Sequence, residues 1–312
     1  MKPFNLFPYD SNVDFMRLRY VSIAIAALIM FVAIGAMATK GFNFALDFTG
    51  GTVTELHFAK PANVDDVRER LSAHGFRGAQ AQNYGSSNDI LVRLQAAPGA
   101  AARTADDVLN AVSTPANPAK VTKSDFVGPQ VGKELALNGF YALCFVMIGF
   151  LIYISFRFEL KFAIAAIIAT LHDVIIVCGW FAISGHEFNL NVLAGVLAVM
   201  GFSINDTIVV FDRVRENFRG MRATPEEVMN ASVNQTLSRT IITSFVAFLS
   251  MLALYLFGGE SLRGLAEAQI IGVVIGTLSS IFVACPLLLW LNVTKQDLMP
   301  KAKDEAALAR RP

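Results

Sequence analysis

Six stretches of the chain stay apolar over the roughly 20 residues that a membrane-spanning helix needs: Leu18–Thr39, Leu135–Phe156, Phe162–Ser184, Phe188–Phe211, Thr240–Phe257 and Ala268–Val293. The pattern changes between the first and second stretches. Thr52–Phe58 alternates as a strand. Asn63 is placed to cap a helix whose apolar side is Val64, Val67 and Leu71, with Asp65 and Asp66 in its first turn and Gly75 at its end. Ala79–Tyr84 and Ile90–Leu94 read as strands joined by the turn GSSND, Thr104 caps a second helix carrying Val108, Leu109 and Val112, and Lys120–Val127 closes the set. The order β-α-β-β-α-β predicts a small α+β ferredoxin-like domain. The expected organisation is a cytoplasmic segment over 1–17, a first span over 18–39, the soluble domain over 40–130, five further spans within 131–293 and a cytoplasmic tail over 294–312.

Composition agrees: 54% of the 312 residues are hydrophobic and 16% are charged, against about 25% charged in an ordinary soluble domain. The chain reads as a polytopic α-helical membrane protein. Ala36 and Ala38 resemble a signal-cleavage site, but the uncharged core from Tyr20 to Ala38 is longer than a signal peptide's apolar region, so the first span is expected to be a retained anchor. Cys144, Cys178 and Cys285 all lie in apolar runs, with neither metal-ligand nor disulfide spacing.

The net charge of +1 carries little, but the placement of the basic residues carries much. Lys2, Arg17 and Arg19 precede the first span; Arg157 and Lys161 lie between the second and third; Arg213, Arg215, Arg219, Arg222 and Arg239 lie between the fourth and fifth; Lys295, Lys301, Lys303, Arg310 and Arg311 follow the sixth. The opposite side offers only Arg263 in its short loops. Positive residues gather on the cytoplasmic side, so both termini are expected there and the soluble domain on the far side. Thr224-Pro225-Glu226-Glu227 is a capping box that starts a cytoplasmic-surface helix over 225–238, leading into the fifth span.

Against this background Asp206 stands out, alone in the apolar run that begins after Glu187 and about six residues, or roughly 10 Å, inside the helix end marked by Asp212 and Arg213. An intramembrane carboxylate is costly and normally faces protein or a water-filled path. Burial disfavours the charged form of a carboxylate and a nearby cation favours it. An aspartate that alternates between the two conditions takes up a proton on one side and releases it on the other. Asp206, with Asn205 beside it, is the candidate carrier, and Arg239, at the cytoplasmic entrance of the fifth span, is either its cationic partner or a snorkelling anchor. His172 and Asp173 in the third span either extend the path or hydrogen-bond between helices. Small residues at Ala194, Ala198, Gly201 and Asn205 predict a close-packing side on the fourth span. Gly272, Gly276 and Ser280, with Gln269 one turn earlier, form its counterpart on the sixth.

The soluble region holds no catalytic cluster: His57 and His74 stand alone, and GPQVGK (128–133) is too short for a phosphate loop and ends in Glu134. No cofactor, metal or nucleic acid is expected, and no enzyme activity. An intramembrane aspartyl protease would need paired carboxylates, but Asp173 and Asp206 lie at different depths and lack the GxGD pattern.

Taken together, LDFTGG (46–51), FVGPQVGKEL (126–135), LHDV (171–174), GFSINDTIVVFDRVRENFR (201–219), TLSRT (236–240) and LYLFGG (254–259) resemble the SecF family, a subunit of the bacterial SecD–SecF protein-export complex related to the RND superfamily. The resemblance covers nearly all of the chain except the tail. It implies six spans with a periplasmic domain after the first, Asp206 as the proton-coupling carboxylate and Arg239 as its functional partner. Asp47, Gly50 and Gly51, and Gly128, Pro129 and Gly132, belong to the family's structural motifs. It further implies proton-driven help in moving precursor proteins across the inner membrane, alongside SecD and the SecYEG channel, among membrane lipids. The alternative is half of an RND-like exporter of lipids or drugs.

Overall fold

The computed structural model describes residues 12–76, 79–95 and 105–294. The expected cap at Thr104, the basic Lys2 and the tail from Lys295 onward lie outside the described residues. The chain forms two units, Phe44–Ala142 and the remainder.

The first unit follows a short strand, β1 (Asn43–Phe44), and opens with a single helical turn, α2 (Leu46–Thr49). Gly50 (φ 68°) and Gly51 (φ 129°) then turn the chain into β2 (Gly51–Phe58), a conformation open to glycine and to few other residues. The unit continues through α3 (Val64–Ala73), β3 (Gln80–Tyr84), β4 (Ser86–Gln95), α4 (Ala105–Val112) and β5 (Ala119–Val127). The sheet order is β3-β4-β2-β5 and every pairing is antiparallel. Alternate residues of the strands, among them Leu56, Phe58 and Val92, meet Val67 and Leu71 of α3 and Val108 of α4 in one apolar core. The Asn63 side chain accepts the Asp65 amide as an N-cap, and Gly75 (φ 81°) follows the end of α3.

One boundary differs from expectation. The polar run GSSND is not a five-residue turn: Gly85 alone (φ 75°) reverses the chain, and β4 begins at Ser86. Side-chain pairing accounts for this. Asp89 stands opposite His57 in the ladder, and its carboxylate accepts from the Ser86 hydroxyl (2.5 Å) and meets His57 Nδ1 at 2.6 Å. Those two partners, Ser86 before His57, hold the Asp89 carboxyl below the usual carboxylate range. Polarity along a strand edge had the look of a loop.

The two glycine motifs meet in this unit. A Cβ placed on Gly132, in the first turns of α5 (Pro129–Arg157), would lie 2.9 Å from the Gly50 amide nitrogen and 3.1 Å from the Phe48 carbonyl oxygen. Both are backbone atoms, and the Gly50 amide is already bonded to Leu46 O at 2.9 Å. Gly132→Val is therefore expected to force the motifs apart at a cost of about 1–3 kcal/mol. Thermal unfolding of the full chain checks this, and an unchanged Tm would contradict the close approach.

In the second unit, α1 (Arg19–Thr39), α6 (Leu160–Ser184), α7 (Leu190–Gly220), α8 (Pro225–Phe257) and α9 (Gly259–Ser279) join the later part of α5. A π-helical turn (Ser280–Ala284) links α9 to α10 (Cys285–Trp290). Among the described residues six helices are long and apolar enough to cross a membrane, the sixth running from Ser261 to Trp290. It begins seven residues before the expected Ala268 because Arg263 and Glu267 interrupt the apolar run without interrupting the helix. The Thr224–Glu227 capping box is formed, and α8 continues unbroken through Ser238–Thr240. Its polar start is held by amide side chains: Asn234 bonds both the N–H (3.0 Å) and the C=O (2.8 Å) of Val13, and Asn230 accepts the Met16 amide (2.9 Å).

Helices α6, α7 and α9 form the buried centre of this unit, because small residues let them approach. Ala163, Ala166 and Ala169 are fully buried, and a Cβ on Gly179 would fall 2.7 Å from the Ala33 Cα of α1. The seam between α7 and α9 uses the expected face of α9 but a different face of α7. Gly272 receives Val199, Gly276 faces Ser203, and Gly195 faces Leu265 and Ala268. The predicted stripe of Ala194, Ala198, Gly201 and Asn205 is exposed instead. Two four-residue stripes one position apart differ by about 100° around a helix. The larger Val199 fills the groove left by Gly272, which ridge-into-groove packing favours over small residues on both sides.

Candidate functional site

The candidate site lies where α6, α7, α8 and α9 meet, and it consists of two hydrogen-bond centres. Asp173, on α6, is fully buried. Its Oδ1 lies 2.9 Å from His172 Nδ1, and its Oδ2 accepts from Ser203 Oγ of α7 and from Ser279 Oγ at the end of α9 (2.7 Å). Gly276 lines this corner: a Cβ there would stand 3.3 Å from the Ser203 Cβ and 3.6 Å from Oδ2. Ser279 immediately precedes the π-helical turn. Such turns widen a helix locally and shift which residues face inward.

Asp206 occupies the second centre, one turn beyond Ser203 on α7 and only 2% exposed. Its carboxylate is lightly held. Ser244 Oγ of α8 is 3.3 Å from Oδ2, and that hydroxyl also lies 2.7 Å from the Thr240 carbonyl and from Thr277 Oγ1 of α9. Around it the Thr207 and Thr240 hydroxyls are buried without a hydrogen-bond partner, as is Nε2 of His172 at the other centre. Buried polar groups are nearly always satisfied, so these three beside the two carboxylates mark a region built for something besides packing.

The sequence-predicted residues are thus brought together unequally. Asp173 with His172, and Asp206, form separate centres linked through shared helices: α9 contributes a hydroxyl to each, Ser279 to the first and Thr277, by way of Ser244, to the second, and no hydrogen bond joins the two carboxylates. Asn205 is exposed on α7, on the side away from Asp206. Arg239 is exposed on α8, one turn before Thr243; its charge is felt at Asp206, although among the described residues no ion pair joins the two. Asp212 is paired elsewhere, 2.7 Å from Arg157. The motif residues Asp47, Gly50, Gly51, Gly128 and Gly132 belong to the other unit, with Gly50 and Gly132 in the backbone approach described above, and the backbone of Pro129 opens α5. The hydroxyls of Ser203, Ser244, Thr277 and Ser279 were not anticipated. Their signal is spacing: Ser203 precedes Asp206 by three residues, and Thr240 and Ser244 are four apart, so each pair shares one helix face. Among the described residues no cluster of three or more His, Cys, Asp or Glu side chains could hold a metal ion.

Known proteins resemble this chain closely. Residues 108–294 match the family model described as "Protein export membrane protein SecD/SecF, C-terminal", and residues 35–62 match the "SecD/SecF GG Motif". The "Protein translocase subunit SecF" of Pseudomonas aeruginosa is 44% identical over 94% of this chain and 96% of its own length. The "Protein translocase subunit SecDF" of Brucella abortus is 36% identical over 98% of this chain but only 40% of its own. Among solved structures, SecDF of Thermus thermophilus, described as a translocon-associated membrane protein, superposes with a TM-score of 0.82 at 36% identity. The match covers 92% of this chain and 40% of that longer one.

Proposed function

The chain belongs to the SecF family of protein translocase subunits, and from that premise we propose that it is the auxiliary translocase subunit that spends the proton motive force on moving precursor proteins across the bacterial inner membrane. The observation that carries the proposal is Asp206: a carboxylate buried inside a membrane-spanning helix, held by one long hydrogen bond and bordered by unpartnered hydroxyls. A proton crossing the membrane field releases about 2.3 kcal/mol per 100 mV, enough to bias a conformational equilibrium more than tenfold. Partnership with a SecD subunit is supported by the longer SecDF chains, of which this chain matches 40%. The SecYEG channel and the translocating precursor complete the set of protein partners, with membrane lipids around the spans and protons as the coupling ion. No enzyme chemistry, cofactor or nucleic acid belongs to the role.

In this reading both termini are cytoplasmic and Phe44–Ala142 is periplasmic. Arg157, Arg213, Arg215 and Arg219 on the Asp212 end of the bundle support that orientation. The strand order β3-β4-β2-β5 supports a ferredoxin-like periplasmic fold, and the six spans an RND-like membrane part. Asp206 is the carrier and Arg239 the movable cation. Exposed and already within electrostatic reach of Asp206, Arg239 would favour the ionised carboxylate as it moves closer and leave Asp206 to a proton as it retreats. The pair His172–Asp173 orders the helices around the carrier, and Asn205 presents a polar group on the outer side of α7.

Arg239→Met is expected to lower the export contribution of the chain by at least tenfold with unchanged abundance, while Arg239→Lys retains part of it. Pulse–chase processing of a precursor in cells that depend on this chain reads both, and an unchanged rate in Arg239→Met would reduce Arg239 to an anchor. The same cells separate the exporter alternative: normal precursor processing with raised drug or lipid sensitivity on loss of the chain would favour it.

A further inference from the structure

At the end of the bundle opposite Asp212 lies a titratable cluster that the preceding reading does not use. Glu267, in the third turn of α9, has a side chain only 13% exposed. Its Oε1 accepts the indole N–H of Trp180 at 2.7 Å, and His186 Nδ1 lies 2.7 Å from Oε1 and 3.0 Å from Oε2. The His186 side chain is about half exposed. The other charged groups described at this end are Lys40, Arg263 and Glu187. Lys40 donates to the Ile183 carbonyl (3.3 Å), Arg263 lies 3.1 Å from Tyr255 Oη and over its ring, and Glu187 is the neighbour of His186 in sequence. Glu267 is a largely buried carboxylate held against an imidazole that is open to water.

We propose that Glu267, loaded through His186, is the proton-receiving station of the bundle on the side away from Asp212. The proton balance is simple. With Nδ1 protonated and facing the carboxylate, His186 takes a proton from water on Nε2 and passes its Nδ1 proton to Glu267. The Nδ1–H bond breaks, an Oε–H bond forms, and a neutral imidazole remains that resets through water on its exposed side. The station shares its helix with both deeper centres. Thr277, linked through Ser244 to Asp206, and Ser279, bonded to Asp173, lie ten and twelve residues further along, about 15 and 18 Å. The stretch between, Ala268–Gly276, carries no charge and only Gln269 as a polar side chain. It separates the stations, as a path that must not leak protons at rest requires.

This inference rests on the proton-coupling reading, and the experiment keeps the two apart. Precursor processing is followed at external pH 6, 7 and 8 in cells that depend on the full chain with its partners, normalised to the amount of chain in the membrane. Glu267→Gln keeps acceptors for Trp180 and His186 but cannot carry a proton, and is expected to lose at least tenfold of the export contribution at every pH. His186→Gln, at an exposed position, is expected to be near wild type at pH 6 and to fall about tenfold by pH 8. Trp180→Phe removes a fastening hydrogen bond and leaves both titrating groups; it is expected to stay within twofold. Losses in Trp180→Phe equal to those in Glu267→Gln would make the cluster a structural fastener and overturn the inference. So would a pH profile in His186→Gln that parallels wild type, or wild-type export by Glu267→Gln while Asp206→Asn is inactive; in that last case the proton-coupling reading stands. Full export by Asp206→Asn would remove that reading and this one with it.

Discussion

Asp206→Asn is expected to leave a folded, membrane-inserted protein that contributes nothing to export. Asparagine has almost the volume of aspartate, and its Oδ1 accepts from Ser244 as the carboxylate does, so packing around α7 is kept. What is lost is the exchangeable proton. If the field supplies about 2.3 kcal/mol per proton at 100 mV, a site that can no longer bind one loses all of that drive rather than a fraction. Precursor processing should therefore fall to the rate seen without the chain, and it should no longer respond when an uncoupler collapses the proton gradient. Asp206→Glu tests the chemistry from the other side: it keeps a titratable group one methylene further out and should retain part of the activity. Normal processing by a stably accumulating Asp206→Asn would remove Asp206 from any proton path.

Much of this site could be read in the amino-acid sequence because membranes are unforgiving of charge. A carboxylate inside an apolar run has few explanations, so Asp206, and Asp173 beside His172, declared themselves. The serine and threonine donors did not. Ser203, Ser244, Thr277 and Ser279 are small residues at home in any close helix contact, and only their convergence on two carboxylates gives them a role. Glu267 was hidden for the opposite reason. It stands with Arg263 near the edge of an apolar run, where charges read as a loop, and the helix passed through them. The packing face of α7 was misassigned because two stripes of the same period differ by one position, and nothing in one helix says which of them meets its neighbour. Gly50, Gly51, Gly128 and Gly132 could be picked out as motif residues. That Gly132 comes close to Gly50 needed the fold.

Asp173 carries the second large effect, and here the expected loss is structural. Its side chain gathers one imidazole and two hydroxyls from three segments, His172 on α6, Ser203 on α7 and Ser279 on α9. Interhelical hydrogen bonds in membrane proteins average about 0.6 kcal/mol and reach about 1.7. Two of the three bonds, those from Ser203 and Ser279, cross between helices and sum to about 1–3 kcal/mol, and truncation adds the cost of leaving the His172 ring and the Ser203 hydroxyl buried without that partner. Asp173→Ala should accordingly lower stability by about 3–5 kcal/mol, measured as the shift in unfolding of the purified chain in detergent. Ser203→Ala or Ser279→Ala alone should cost about 1 kcal/mol, since the carboxylate keeps its other donors. Asp173→Asn separates the two roles left open by the sequence. Its Oδ1 can serve both hydroxyls and its amide can donate to His172 Nδ1 in the tautomer with the proton on Nε2, so most of the stability should return. If export returns with it, Asp173 is a fastening that holds α6, α7 and α9 in register around Asp206. If stability returns and export does not, the proton passes through Asp173 as well, and the two hydrogen-bond centres are successive stations on one path.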